Sequence, residues 1–332
     1  MKNPVQHGVW NNVITSAGRM VLKGQEIKVA IFQLTCKCPY QCTYCYQSCT
    51  PDGQTVDPGV AATIIKRLQA DGWLVRPFLA EIVPGIKPYL SLLRKTGTRD
   101  VSTAGDPLVN DPSWFDTLSK FGIDHLRVVV LPTSALHHDW TGRDRATALE
   151  AIRMARARGF TITWNFLLAR STTSYLEAQV AEAFDAGARE FNVNNFFIMG
   201  RAKSMPGEAL TDAELASVLD RYDALRDRYP RDGIALTRMG MMGPNLGKPG
   251  SVSARLAARG EYCFAGLGPH AKQLFINADL KVYGCLTHRD PALQIGNVDI
   301  DGVLHLNEKT ALDGFDRTDC FTRKWLQASN QS

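Results

Sequence analysis

Short runs of apolar residues alternate with longer helical patterns between residues 27 and 200. Hydrophobic residues within each run are continuous rather than alternating with polar ones, which is typical of strands buried on both faces of a parallel sheet. The predicted strands cover 27–34, 76–80, 99–103, 125–131, 161–168 and 191–198. Repeated βα units of this kind predict an α/β fold whose parallel sheet is either open or curved as a partial barrel.

The segments between these runs carry signals for helix ends. Asp57 before Pro58, and Asp111 before Pro112, each predict an N-cap followed by proline in the first turn. A capping box is predicted by Ser174 with Glu177. Glycines stand where C-terminal caps belong, at Gly72, Gly97, Gly122, Gly159 and Gly187.

The pattern changes past residue 200. Thr211 and Glu214 predict the start of one more helix, and the Gly-, Met- and Pro-rich segment 239–260 predicts a long loop. Short β-type runs at 272–285 and 293–306 follow. We therefore predict an N-terminal extension (1–26), a core domain (27–205), a helix and loop linker (206–262) and a small α+β domain (263–332).

Charge and composition exclude several classes of function. The chain has 332 residues, a formal net charge of +5 and a pI near 8.7, but its basic residues are scattered or lie on helical segments such as 143–159. That pattern favours solvated helix faces over a nucleic-acid-binding stripe. The sequence has neither the apolar core of a signal peptide nor an uninterrupted apolar run of membrane-spanning length, so we expect a cytoplasmic protein without membrane contact.

Five of the eight cysteines lie between residues 36 and 49. In a reducing compartment such a cluster favours metal binding or catalysis over disulfides. Cys38, Cys42 and Cys45 have the spacing C-x3-C-x2-C, directly after a predicted strand. Zinc normally takes four ligands, whereas three clustered thiolates fit an iron–sulfur cluster that keeps one iron open. We interpret Cys36 and Cys49 as small residues packed near this triad, with Cys49 as an alternative ligand of a second site.

The triad resembles that of the radical S-adenosylmethionine (SAM) superfamily in its spacing, in its position after a strand and in having Tyr44 just before the last cysteine. The resemblance implies a partial (β/α)6 barrel and a [4Fe–4S] cluster whose fourth iron binds SAM. It also implies reductive cleavage of SAM to a 5′-deoxyadenosyl radical, which takes a hydrogen from the substrate, and a flavodoxin- or ferredoxin-type electron donor.

The resemblance also implies where SAM lies. Glu81, after Ala80, stands where the family has the Gly-Glu of its second-strand motif, and 102–105 stands where it often has Thr-Asn-Gly. Residues 104–107 are an alternative match for the Gly-Glu motif, but that register leaves only five strands. Glu81 is otherwise simply a polar residue at a strand end. The implied SAM contacts are Tyr44, Ala80, Glu81, Thr103 and Asn165.

Later strands match the family in part. His138, Asp139 and Gly142 agree with the loop after the fourth strand, whereas Val130 and Pro132 replace the serine and aspartate expected there. A ribose contact would then come from Thr133, Ser134 or Asn165. Asn192 and Asn194 are predicted on one strand face, where they either line the cavity or satisfy neighbouring loops. The sixth strand is followed by Gly-Arg-Ala at 200–202.

Three further cysteines, Cys263, Cys285 and Cys320, resemble part of a SPASM or Twitch domain. The resemblance implies one auxiliary iron–sulfur cluster of the [4Fe–4S] type. Arg323 stands where the family's closing cysteine would be, so the fourth ligand is open: substrate, solvent, His270 or His288. The alternative is that the three are buried, inert cysteines.

These observations favour an enzyme that tailors a small polar natural-product intermediate by oxidation or rearrangement. Only 26 residues precede the first predicted strand, too few for the leader-recognition domain of many peptide-modifying members. Modification of a ribosomally made peptide is the alternative, and a non-catalytic iron–sulfur or zinc protein is the remote one. The oligomeric state is left open. Position alone suggests radical-quenching or acid–base candidates, namely Tyr283, His288, Arg201 and Asp106.

Overall fold

The computed structural model describes residues 14–16, 19–22, 25–26, 28–229, 234–239, 273–284 and 294–307. The first three strands form a small antiparallel sheet of their own, β1 (Ile14–Ser16), β2 (Arg19–Leu22) and β3 (Gln25–Glu26). They lie within the segment predicted as an N-terminal extension.

Six parallel strands follow, one for each predicted run. They are β4 (Lys28–Thr35), β5 (Trp73–Leu79), β6 (Asp100–Thr103), β7 (His125–Val129), β8 (Thr161–Leu168) and β9 (Glu190–Asn195). Eight α-helices occur in the described residues, α1 (Pro58–Ala70), α2 (Lys87–Thr96), α3 (Asp106–Asn110), α4 (Ser113–Lys120), α5 (Ser134–Thr141), α6 (Arg145–Ala157), α7 (Leu176–Asp185) and α8 (Asp212–Arg228). The predicted α/β class and its six strands are confirmed.

The strand order makes a curved wall. β4 pairs with β5, β5 neighbours β6, and β6 to β9 pair in chain order. Two further parallel strands extend the wall at its edges: β10 (Ala235–Met239) pairs with β9, and β11 (Gln273–Ile276) pairs with β4. The fold is a partial parallel barrel of the TIM type.

The C-terminal strands continue the same sheet. β12 (Lys281–Tyr283), β13 (Gln294–Val298) and β14 (Leu304–Leu306) pair antiparallel after β11, so the sheet order runs β14, β13, β12, β11, β4, β5. These are the predicted β-type runs at 272–285 and 293–306. The proposed boundary at residue 263 lies outside the described residues and stays a prediction.

Most helix-end predictions are confirmed. Asp57 caps α1 by accepting hydrogen bonds from two backbone N–H groups, and Thr211 and Glu214 form the predicted capping box of α8. All five predicted capping glycines have positive φ angles. The capping box predicted at Ser174 and Glu177 is wrong, because the chain enters α7 through a 3-10 turn at Thr173–Tyr175 without a side-chain cap.

The two faces of the wall differ in chemistry. The face toward the helices is the hydrophobic core, with fully buried residues such as Phe32, Leu126, Trp164 and Phe191. The opposite face, here called the inner face, is only half buried on β5 and β7, where successive residues alternate between buried and intermediate. It carries polar and charged side chains along several strands, which suits a cavity rather than a filled core.

An ionic layer crosses the inner face near the amino ends of the strands. Asp100 accepts hydrogen bonds from Arg76 at 2.7 Å and from Arg127 at 2.6 Å. Beside it, His125 contacts the Thr163 hydroxyl at 2.6 Å, and that hydroxyl donates to Glu190 at 2.8 Å. Two guanidinium groups and two carboxylates thus balance one another at this end of the barrel.

Candidate functional site

The cysteine-rich segment is a closed loop at the carboxyl end of β4. It returns to its own start through isolated bridges from Lys37 to Thr50 and from Thr35 to Thr55. A Cβ atom at Gly53 would lie 2.0 Å from the Cys36 carbonyl oxygen, so only glycine permits this return. The loop is therefore closed by contacts of its own backbone.

Residues 200 and 201 hold the loop from the end of the sixth barrel strand. The Arg201 Nε donates to the Cys42 carbonyl at 2.9 Å and its Nη1 to the Cys49 carbonyl at 2.8 Å, while its backbone N–H donates to the Cys45 carbonyl at 3.1 Å. Gly200 packs so closely that a Cβ would meet the Cys45 carbonyl oxygen at 2.6 Å. Arg201, suggested above as a radical-quenching or acid–base candidate, thus contacts the backbone of the cysteine loop.

The three predicted ligand sulfurs influence one another. Burial raises the pKa of the Cys38 thiol to about 12, and the negative charges of Glu81, Cys42 and Cys45 raise it further. By contrast, a hydrogen bond from the Cys49 thiol lowers the pKa of Cys45 to about 5, against the effect of burial. Cys45 is therefore the triad member that ionises most easily, whereas metal binding would have to displace the protons of Cys38 and Cys42.

Within the described part of the chain, no three His, Cys, Asp or Glu side chains converge on one metal-ion position. A [4Fe–4S] cluster places each thiolate on a different iron, so it does not require the sulfurs to converge on a point. The donor set and spacing therefore fit a cluster better than a single zinc ion.

Arg143 supplies a positive charge beside the loop. Its side chain is 8% exposed, and its guanidinium lies 4.5 Å from the centre of the Tyr40 ring. Nη2 donates to the Ala104 carbonyl, and Nη1 lies 3.1 Å from Asp106 Oδ2 without hydrogen-bond geometry. Nε has no hydrogen-bond partner among the described residues. Since buried donors are normally satisfied, this arrangement fits an acceptor or anionic group of a ligand.

Glu81 joins the ends of β5 and β6. Its Oε1 accepts a hydrogen bond from the Ile82 N–H and its Oε2 from the Ala104 N–H, both at 2.8 Å. Burial raises the pKa of this carboxyl to about 7. The two alternative motif matches, at residue 81 and at 104–107, therefore lie together, and Glu81 both organises this edge and influences Cys38.

The remaining implied SAM contacts surround the same edge. Ala80 follows β5, half-buried, and Thr103 ends β6, where its hydroxyl accepts from the Gly105 N–H at 3.0 Å. Tyr44 packs against Trp140, with ring centres 6.2 Å apart. Asn165 lies on the inner face of β8, and its Oδ1 accepts from Asn192 and Asn194, which confirms that these two share a face.

Most of the C-terminal candidate residues cannot be placed relative to the cysteine loop. Cys263, Cys285, Cys320, His270 and His288 lie outside the described residues. Tyr283 is buried on β12, paired with Phe275 of β11. The auxiliary cluster and these catalytic candidates stay predictions.

Sequence reasoning missed Arg143. The neighbouring residues His138, Asp139 and Gly142 match the family loop. No local sequence pattern, however, marks Arg143 itself as a site residue. Only the fold brings Arg143 to Tyr40, Asp106 and the backbone of Ala104.

Comparison with curated proteins finds a partial relative. The chain is 25% identical over 209 residues to a PqqA peptide cyclase of Ruegeria pomeroyi, covering 58% of this chain and 55% of the relative. It thus spans about half the length of the curated relative that it matches. No family model matches the chain.

Solved structures share the fold. Streptococcus suis SuiB bound to S-adenosylmethionine matches with a TM-score of 0.60 at 14% identity, over 78% of this chain and 60% of SuiB. The protein anSMEcpe with bound AdoMet matches with a TM-score of 0.59 at 13% identity, over 90% of this chain and 82% of that one.

None of the described helices is long and apolar enough to cross a membrane. The triad loop follows the first strand of a partial parallel barrel, with Arg143 and Glu81 beside it. The chain is thus similar over part of its length to a PqqA peptide cyclase, and it shares the partial-barrel fold of solved proteins that bind S-adenosylmethionine.

Proposed function

We propose that this chain is an enzyme that binds SAM at a [4Fe–4S] cluster held by Cys38, Cys42 and Cys45. The observation that carries the proposal is the closed loop bearing three mutually interacting sulfurs beside the unsatisfied donors of Arg143. When bound, the cluster would supply one electron to the SAM sulfonium, releasing methionine and a 5′-deoxyadenosyl radical that takes a hydrogen atom from the substrate.

The protein's own residues would bind and orient SAM. Arg143 offers a buried positive charge to the SAM carboxylate, with Tyr40 and Asp106 fixing the guanidinium. Glu81 fixes the backbone at the ends of β5 and β6, where the SAM amino group is expected. Tyr44, Trp140 and Phe196 pack together beside the loop and exclude water from that side.

We propose a peptide as the substrate. The curated relative is named for cyclising the PqqA peptide, and structures of SuiB with precursor peptide SuiA and of anSMEcpe with a Cp18Cys peptide share the fold. The inner face offers amide side chains at Asn165, Asn192 and Asn194, which suit the donors and acceptors of a peptide backbone.

A small polar molecule is the second candidate. The observation that favours it is the same polar inner face, since the three asparagines and Ser102 would also bind hydroxyl groups. Incubating the reconstituted enzyme with peptide and small-molecule libraries separates the two candidates: substrate-dependent formation of 5′-deoxyadenosine identifies the class that binds.

Two further parts of the proposal concern electrons. One auxiliary [4Fe–4S] cluster, bound by Cys263, Cys285 and Cys320, would take an electron from the substrate radical or anchor the substrate. A flavodoxin- or ferredoxin-type protein would deliver the electron for SAM cleavage.

Two triple variants test this proposal. Replacing Cys38, Cys42 and Cys45 by alanine should abolish SAM cleavage, because all ligands of the SAM-binding cluster are removed. Replacing Cys263, Cys285 and Cys320 by alanine should leave some uncoupled cleavage and block product. Both are checked by anaerobic reconstitution, iron and sulfide analysis and chromatography of 5′-deoxyadenosine; the wild-type protein should hold about eight irons.

Two outcomes would contradict the proposal. Tightly bound zinc without SAM cleavage in the wild-type protein would contradict the proposed radical SAM activity. Normal turnover by the Cys263, Cys285 and Cys320 variant would remove the auxiliary cluster and leave the first cluster in place.

A further inference from the structure

Arg127 is a residue of β7 whose guanidinium is only partly used by its neighbours. Leu126 and Val128, on either side of it, are fully buried in the hydrophobic core, so Arg127 faces the opposite, inner side of the wall. Its Nε donates to Asp100 Oδ2 at 2.6 Å. The side chain is 13% exposed, so it is mostly buried but still reachable from the interior of the barrel.

Four of the five N–H donors of Arg127 lack a hydrogen-bond partner among the described residues. A guanidinium carries one such donor on Nε and two on each Nη nitrogen. Nε donates to Asp100, whereas neither Nη nitrogen is hydrogen-bonded to any residue that the structure describes. Because buried donors are normally satisfied, the two Nη nitrogens fit an acceptor group that these residues do not supply.

The surroundings of Arg127 are positively charged, although the ionic layer as a whole is balanced. Asp100 Oδ2 also accepts from the Arg76 Nη2 at 2.7 Å, so one carboxylate oxygen serves two guanidinium groups. Glu190, the second carboxylate of the layer, lies two strands away from β7, and its Oε2 accepts from the Thr163 hydroxyl at 2.8 Å. An anion beside Arg127 would therefore be attracted by a charge that Asp100 only partly neutralises.

Ser102 shows that the barrel interior is open beside Arg127. The strand register places Ser102 of β6 opposite Arg127, and alternation along β6 places it on the same face as Asp100. Ser102 is exposed, in contrast to the buried Val101 and Thr103 that flank it. A ligand group can therefore reach the Nη nitrogens from inside the barrel.

The inner face becomes partly apolar one layer nearer the carboxyl ends of the strands. Val129 follows Arg127 on the same face of β7, and Phe78 of β5 packs against Phe275 of β11 with ring centres 5.7 Å apart. Both Val129 and Phe78 are half-buried. A carboxylate at Arg127 would thus lie near apolar side chains, where a charge-assisted hydrogen bond is stronger than in water.

We propose that Arg127 is a specificity-determining residue of the substrate cavity, whose Nη nitrogens bind a carboxylate of the substrate. A guanidinium presents its donors in a planar fork that matches a carboxylate. Arg127 lies two residues, or about 7 Å, before the carboxyl end of β7, so a carboxylate held there would fix which part of the substrate reaches the proposed SAM site. In a peptide this carboxylate is either an acidic side chain or the C-terminus. This inference rests on the proposed function and deepens it.

The first test measures the binding of glutarate, a dicarboxylate, against glutaramide, its uncharged counterpart. Thermal denaturation of the 332-residue chain is followed with each compound at constant ionic strength, with iron content measured alongside. We expect saturating glutarate to raise the melting temperature of the wild type by about 2 °C or more, because a ligand of the folded state stabilises it. Glutaramide should not do so. Arg127→Gln should lose the response to glutarate, and Arg127→Lys should be intermediate.

The second test separates the two sources of the carboxylate in peptides. One set of peptide pairs differs by Glu or Gln at a single position, and the other set by a free or an amidated C-terminus. The readout is substrate-dependent formation of 5′-deoxyadenosine by the reconstituted enzyme at low peptide concentration. The wild type should prefer the acidic member of one set about tenfold or more, and Arg127→Gln should lose this preference.

Two variants of Ser102 decide the question if Arg127→Gln does not fold. Ser102→Asp leaves the pair of Arg127 with Asp100 in place and adds a carboxylate opposite Arg127, so it should remove the response to glutarate and the preference for acidic peptides. Ser102→Asn is its uncharged counterpart and should keep the difference between glutarate and glutaramide. Arg153→Ala, which removes an exposed arginine of α6, should keep it as well.

Two results would overturn the inference. An equal response of the wild type to glutarate and glutaramide, with no preference for acidic peptides, would show that the cavity binds no carboxylate. A response to glutarate that persists in both Arg127→Gln and Ser102→Asp would place the anion elsewhere. By contrast, a glutarate response that depends on Arg127, without any SAM cleavage, would support the carboxylate site and contradict the proposed function.

Discussion

At the scale of single residues, local spacing reveals the sulfurs but not the charges around them. Cys38, Cys42 and Cys45 stand out because three ligands in eight residues are rare without a metal. Arg143 and Arg201 come from distant segments, and each meets the loop only through the fold. Arg201 was noted for its position after the sixth strand, but its contacts with loop carbonyls follow no local pattern.

Arg201 lets us predict how firmly the loop would retain the iron of the proposed cluster. Arg201→Ala removes the donors to the Cys42 and Cys49 carbonyls, and we expect iron retention to weaken about tenfold or more, as when an outer partner of a metal ligand is lost. Arg201→Lys should be intermediate, because one ammonium does not reproduce the two-pronged contact. The rate of iron loss to a chelator measures both.

Arg153 provides the control for this prediction. Its side chain is 70% exposed and pairs with Glu150 on the same helix. Arg153→Ala should lose iron at the wild-type rate. If Arg201→Ala also does so, the contacts of Arg201 do not hold the loop.

At the scale of elements, the sequence predicts those strands and helix ends whose signals lie within a few consecutive residues. The barrel strands β4, β7 and β8 are predicted because they contain apolar runs, and α8 because Thr211 and Glu214 cap it through their own side chains. Ser174 fails as a cap because Glu177 instead pairs with Arg221 of α8, 44 residues away. The strand β10 was missed because only its pairing with β9 distinguishes its short sequence from a loop.

The two capping patterns make a matched pair of substitutions. Thr211→Ala removes a real capping hydrogen bond, and we expect the free energy of unfolding to fall by about 1 kcal/mol. Ser174→Ala should change it by less than about 0.5 kcal/mol, because no side-chain cap exists there. Urea denaturation measures the free energy of unfolding of both variants. Equal losses for Thr211→Ala and Ser174→Ala would show that the capping hydrogen bond of Thr211 does not contribute to stability.

At the scale of the whole molecule, the barrel has a hydrophobic outer face and a charged inner layer. Burial disfavours ionisation of Asp100, but the guanidinium groups of Arg127 and Arg76 outweigh it and hold the pKa of this carboxyl below its usual range. The layer therefore joins β5, β6 and β7 only while Asp100 is ionised. Such a layer depends on charges from three strands, so no local pattern predicts it.

Replacing Asp100 should weaken the whole fold. Asp100→Asn leaves two buried guanidinium groups without this carboxylate, and we expect the free energy of unfolding at pH 7 to fall by about 3 kcal/mol. Because the folded pKa is depressed, the stabilisation exists above the unfolded pKa of about 3.9 and is lost as pH falls below it. The difference between wild type and variant should therefore shrink in acid.

Asp116→Asn is the control for this prediction, since Asp116 is exposed on α4. It should change the free energy of unfolding by less than about 0.5 kcal/mol at either pH. Denaturant titrations at pH 7 and pH 3 measure all three proteins. A constant difference between wild type and Asp100→Asn across pH would contradict the assigned role of the carboxylate.

The strand before the cysteine loop is hydrogen-bonded along both edges, to β5 on one side and to β11 on the other. Amide protons of β4 should therefore exchange with solvent only through large-scale opening, whereas the return limb at Thr50 to Val56 is tied by a few bonds. The backbone amides of this return limb should therefore exchange with solvent before those of β4, so the loop opens while the strand that carries it stays paired.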